Sequence, residues 1–336
     1  MSAPKLLLLP AVVWFSIHAQ DTRSTSLDSR AAQLRTLLRG SPQLAVEQIP
    51  LSVRPPSVGL LGTVSSVGVG RDGVVYILHR GDKADPVIAV NRDGGVLRSW
   101  GKGMFTVPHS VRIDPDGNIW TVDAGSSVLV KFSADGTKLQ QIDVGEVAQG
   151  KDCAFPTLCG TTDVTFAPRG RLFISDGYGN ARILEYDRAG KRAKVWGSKG
   201  TEPGQFRIPH GITNDGKVLY IADRENARIQ RFDFDGHYIG EWTHLGRPFA
   251  LDFNSGALWV ALMTLEAAGP GKNQSDRPSP WIVKVDVTTG KVLGQVQAPG
   301  PHSIAVSNGG DLFANGCCGG LNATAVYWLR RSQTAR

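Results

Sequence analysis

With 336 residues, 41% of them hydrophobic, the chain is long enough to bury one large repeat domain or two ordinary ones. Its 40 Gly and 19 Pro fall at strand ends rather than in low-complexity runs, which excludes a largely disordered chain and suits β structure with many tight turns. The net charge of +7 is scattered, its longest cluster being Lys191-Arg192-Ala193-Lys194, so no stripe of basic and aromatic residues marks a nucleic-acid partner.

Residues 1–19 read as a secretory signal: Lys5 supplies the positive end, LLLLPAVVWFSI the apolar stretch, and Ile17-His18-Ala19 a cleavage site before Gln20. The apolar run is too short to span a bilayer as a helix, and no Cys follows it to carry a lipid anchor. The mature protein is therefore expected to be secreted or periplasmic, with no membrane span, and monomeric. Residues 20–44 read as a polar linker with a helix-like stretch from Arg30 to Leu38. The four Cys suit an oxidising compartment. Cys153 and Cys159 are close enough in sequence to pair, whereas a bridge between the adjacent Cys317 and Cys318 would be strained. Neither group has the spacing of a zinc knuckle or a haem attachment site.

From residue 45 to about 330, strand signals recur between Asp-Gly, Asn-Gly and Gly-Gly turns. An aromatic taken as closing the second strand of each unit sets the register: Tyr76, Trp120, Phe173, Tyr220, Trp259 and Phe313 are roughly 40–54 residues apart, the period of a propeller blade. Third strands follow (VLVKF, RILEY, RIQRF, WIVKV), then fourth strands ending in Trp100-Gly101 and Trp196-Gly197. The expected fold is all-β, a six-bladed β-propeller of NHL-repeat type. Ala45 to Val53 would supply an outer strand to the last blade and close the ring. Gly269 to Pro280 reads as a surface insertion in the fifth blade.

Three units open with a Pro-His pair: Pro108-His109, Pro209-His210 and Pro301-His302, 10 or 11 residues before the unit's aromatic. They belong to blades two, four and six, which in a sixfold ring stand about 120° apart with the start of each first strand beside the central channel. The same slots in the other blades hold Ser65, Thr162 and Pro248 or Phe249. Three neutral imidazoles converging on an axis make a zinc site with an open fourth position, as catalytic sites keep. Polar residues at the ends of second strands face the same channel mouth: Arg80, Tyr178 and Arg224. An arginine fork there suits a carboxylate, and a phenol near positive charge suits a base. Asp123, Asp176 and Asp223, which repeat at these turns, suit bonds to loop amides instead.

The segments HRGD (79–82), VPHS (107–110), SDGYGNARI (175–183), IPHG (208–211), ADRENARIQ (222–230) and GPHS (300–303) occur in the order found in the peptidyl-α-hydroxyglycine α-amidating lyases, which this chain resembles from about Val67 to Phe313. That family is a six-bladed propeller releasing an amidated peptide and glyoxylate. The resemblance implies zinc on His109, His210 and His302, Tyr178 as catalytic base, Arg80 as the group that orients and polarises the substrate, and Arg224 as a second arginine near the substrate. The partner would be a small-molecule or peptide substrate, an N-acyl-α-hydroxyglycine whose hydroxyl is deprotonated as the amide nitrogen leaves.

The chain departs from the family around this set. The family's structural calcium is bound in part by an Asp directly after the third histidine, where Ser303 stands here, so the calcium site is short of a ligand. Gly179 replaces the Cys that follows the catalytic Tyr in animal members, leaving Cys153 as the nearest partner for Cys159. The competing reading from the residues is a non-catalytic NHL-type propeller that binds a peptide, glycan or protein. A lactonase-type hydrolase is a weaker alternative, because no carboxylate occupies the histidine slots.

Overall fold

The computed structural model describes residues 27–53, 61–154, 156–263, 280–298, 301–316 and 324–332. The proposed signal segment, most of the proposed insertion and the Cys317-Cys318 pair lie outside the described residues. Six four-stranded antiparallel sheets stand in a ring, a six-bladed β-propeller. Their innermost strands are Val64–Val69, Pro108–Ile113, Asp163–Ala167, Pro209–Asn214, Arg247–Asn254 and Ser303–Val306. Each innermost strand packs beside the next, and the sixth returns to the first.

The ring is closed by chain ends. Val46–Pro50 pairs antiparallel with Val326–Arg331, running from Val46 opposite Arg331 to Pro50 opposite Tyr327. The N-terminal strand is thus the outer strand of the C-terminal blade, within the expected span, and leaves that sheet complete.

The packing explains the aromatic repeat and moves it. Tyr76, Trp120, Phe173, Tyr220 and Phe313 sit second in strands Val75–His79, Ile119–Asp123, and so on, or third in Arg171–Asp176, rather than at their ends. The turns are tight, so each second strand starts immediately after its turn and runs on to His79, Asp123, Asp176 or Asp223. The Trp of each Trp-Gly pair lies between blades: Trp100 packs edge-on to Phe132 of the next blade at 5.9 Å, and Trp196 lies 4.6 Å from Phe232. Gly101 has φ of 94°, and a Cβ there would meet the Phe105 ring at 2.9 Å, so only glycine ends this strand comfortably.

The segment expected as a linker holds a 13-residue helix, Leu27–Arg39. Leu34 and Leu38 are buried in the core shared by blades four and five, against residues such as Trp242 and Leu251. Arg30 donates to the Ala227 carbonyl at 2.6 Å. Apolar residues four apart on one helical face make this docking possible.

Candidate active site

The three Pro-His pairs meet on the propeller axis. The ladder between first and second strands is irregular between Pro108 and Ser110, between Pro209 and Ile212, and likewise between Val64 and Ser66 and between Pro248 and Ala250. A bulge at these slots turns a side chain out of the pleat and re-aims it. His109, His210 and His302 are buried, with ring centroids 4.9–5.0 Å apart. Before His210, Ile208 holds φ of 60°, a strained conformation for a β-branched residue and of the kind concentrated at functional sites.

Each histidine is oriented by the next blade. His109 Nδ1 donates to the Thr162 carbonyl at 2.6 Å, His210 Nδ1 to that of Phe249 at 2.8 Å, and His302 Nδ1 to that of Ser65 at 2.7 Å. Because a carbonyl can only accept, these bonds fix the proton of a neutral ring on Nδ1 and leave the Nε2 lone pair free. One ligand atom from each ring lies within 4.8 Å of the others, so the three can hold a metal ion. Burial, reinforced by the neighbouring histidines and arginines, holds all three well below the ordinary histidine value, His302 at about 3. They are neutral imidazoles at physiological pH.

Tyr178 lies in the turn after the second strand of blade three and is buried. Its hydroxyl is 2.9 Å from His109 Nε2 and 3.0 Å from His210 Nε2. One phenol proton cannot satisfy both lone pairs, which is the donor set a cation completes. Arg80 follows the second strand of blade one and donates from Nε to the Pro108 carbonyl at 3.0 Å. Arg224, buried after the second strand of blade four, lies over the rings of Tyr178 and Phe249, 5.6 and 4.9 Å from their centroids. Burial raises the Tyr178 phenol above its ordinary value, while Arg224 and Arg80 pull it down. Burial also lowers Arg80, opposed by Tyr178 and Asp123.

Of the three turn aspartates, Asp123 and Asp223 bind loop amides as expected, whereas Asp176 accepts from the side chains of Asn180 and Arg182 instead. Asp123 accepts the amides of Thr106, Val107, Gly125 and Ser126, and Asp223 accepts the Arg207 amide and the side chains of Asn226, Arg228 and Gln230. Cys153 and Cys159 form a disulfide.

A probable peptidyl-α-hydroxyglycine α-amidating lyase of Caenorhabditis elegans is 27% identical over 293 residues, covering 76% of this chain and 80% of that protein. Sequence and fold together fit the NHL-repeat amidating-lyase family. A Xenopus laevis peptidyl-glycine α-amidating monooxygenase is 32% identical over 243 residues, 62% of this chain, but the match spans only 26% of that longer protein. No protein-family model matches the chain. Among solved structures, a streptogramin B lyase covers 85% of this chain and 98% of its own, with a TM-score of 0.56 at 16% identity, a likeness of fold. An amidating-lyase-like propeller with a disulfide is consistent with secretion. No helix among the described residues is long and apolar enough to cross a membrane.

Three parts of this site were not legible in the sequence. The carbonyls of Ser65, Thr162 and Phe249 orient the histidines, and a carbonyl leaves no mark on residue identity. Glu225 binds Arg224 through Oε1 at 2.9 Å and Arg247 through Oε2 at 3.1 Å, linking blades four and five at the mouth. Ala154, inside the disulfide loop, donates to the Tyr178 carbonyl at 2.6 Å.

Proposed function

We propose that the chain is a secreted zinc-dependent lyase that cleaves an N-acyl-α-hydroxyglycine to an amide and glyoxylate. The observation that carries this reading is the Tyr178 hydroxyl set between two of three converging imidazoles, with Arg224 over its ring. His109, His210 and His302 would hold the zinc. Bound there, it would supply Lewis acidity that acidifies both the substrate hydroxyl and the adjacent phenol.

Tyr178 in its phenolate form takes the proton from the α-hydroxyl. The electron pair of that O–H bond forms the carbonyl of glyoxylate, and the pair of the C–N bond leaves on the amide nitrogen, which takes the proton back from Tyr178 and restores the phenolate. Arg80 neutralises the substrate's carboxylate and stabilises the anion that develops. Arg224, held by Glu225, is a second cation for the substrate and keeps the phenol's pKa from rising further. Burial of the whole set removes competing water and strengthens each of these interactions. The test is direct: purified protein carrying zinc is mixed with α-hydroxyhippurate and glyoxylate is measured. Release above the uncatalysed rate is expected; none from zinc-replete protein would overturn this substrate class.

A further inference from the structure

Below the histidines the channel carries a second polar layer. Ser66, Ser110, Asp163, Gly211, Ala250 and Ser303, the residues that follow the six slots, line one cavity together with the three histidines. The family resemblance implies a calcium ion bound in part by an Asp at position 303, and the residues present do not fit one. Calcium requires six to eight oxygen ligands with carboxylate charge to spare. Ser303 instead places its hydroxyl 3.0 Å from that of Ser66, between blades six and one. Asp163 is fully engaged: it accepts from Ser110 Oγ at 2.6 Å, from the amides of Val164 and Ile212 at 2.9 and 3.2 Å, and from Arg112 through Nε at 2.9 Å and Nη2 at 2.5 Å.

Arg112 does what a bound cation would do. It projects from the innermost strand of blade two, grips Asp163 of blade three with a two-pronged bond, and donates from Nη2 to the Leu251 carbonyl of blade five at 3.0 Å. Blades two and five face each other across the ring, so one guanidinium spans the axis. Beside it Asp252 of blade five accepts the Val306 amide of blade six at 2.7 Å, and the charge of Arg112 opposes the burial that pushes Asp252 up to about 6. With Ile212 on blade four, this network touches five blades. A planar fork with fixed donors suits such a junction better than a hydrated ion.

We propose that Arg112 is a built-in structural cation that takes the place of a bound calcium, so that the propeller is held on its axis without a divalent ion in this layer. The idea is independent of the lyase chemistry above it. The test uses the whole protein, freed of loosely bound ions in calcium-depleted buffer. Elemental analysis, counting calcium separately from zinc, should find no calcium above background, and the melting temperature should not move when calcium chloride is added. Stoichiometric calcium, or a Tm that climbs with it, would overturn the proposal without any variant. Arg112→Met and Asp163→Asn should each lower Tm, because each leaves a buried charge unpaired, while the double variant should lose less than the sum. Additive losses, or an Arg112→Met protein that melts with the wild type, would also overturn it.

Discussion

The amide of Ala154 donates to the carbonyl of Tyr178 at 2.6 Å, and the Tyr178 amide in turn donates to the Gly160 carbonyl at 3.1 Å. The tyrosine backbone is therefore held on one side by Ala154, inside the loop that the Cys153–Cys159 disulfide closes, and on the other by Gly160, the residue just past it. Gly179 makes room for this clasp: a Cβ there would lie 2.0 Å from the Ala148 side chain and 2.7 Å from the Cys159 carbonyl. The animal-type cysteine after the tyrosine cannot be accommodated in this geometry, and the short bridge does the tethering from the other side.

The first prediction follows from that clasp. A Cys153→Ser/Cys159→Ser variant should fold and keep its metal, because the loop is peripheral to the blades. Misplacing a reacting group by an ångström costs up to about 10²-fold in rate. Steady-state kinetics should therefore show kcat falling by up to that factor with KM little changed. Unchanged kcat in the variant would remove the loop from any role in positioning.

Tyr178→Phe deletes only the phenol oxygen that lies between His109 and His210. Folding and zinc content should barely change, while turnover drops by about 10²–10⁴, the usual span for losing a general base. Arg80→Ala should also slow glyoxylate release by removing the charge that meets the developing anion. A Phe variant as active as the wild type would displace Tyr178 from the chemistry.

Metal content is the third prediction. Three Nε2 lone pairs with Nδ1 protons committed to carbonyls should retain about one zinc per chain through purification. His210→Ala should lose most of it, and the triple His109/His210/His302→Ala variant all of it, as read by elemental analysis. Full zinc in the triple variant would place the metal elsewhere.

Fold and site were legible to different depths. The blade count, the ring closure by the N-terminal strand and the alternate-blade histidines could be read because they are carried by side-chain identity at fixed spacing. The aromatics marked the right strands but the wrong end, since spacing does not say whether an aromatic opens or closes a strand. Helix Leu27–Arg39 was underestimated: only tertiary contact shows that Leu34 and Leu38 have a core to enter. The carbonyls of Ser65, Thr162 and Phe249 were invisible for a deeper reason, because every residue has one and geometry alone decides its use. Arg112 looked like one more scattered base until its partners on blades three and five were in view.

The same histidines make the fold acid-sensitive. In the folded state burial depresses all three below the ordinary value of 6.5, His302 to about 3, so the unfolded chain binds more protons than the folded one as pH falls below 6.5. Unfolding free energy rises with pH wherever the unfolded state holds the extra protons, so stability present above pH 6.5 is lost as pH falls through that value toward about 3. His109 and His210 act in the same direction as His302, and proton competition for Nε2 weakens metal retention as pH falls. Urea unfolding at a series of pH values should show the midpoint falling steadily below pH 6.5, and the fall should be shallower in the triple His109/His210/His302→Ala variant, which has no imidazoles to titrate on the axis. Equal pH dependence in the two proteins would assign the acid sensitivity to other groups.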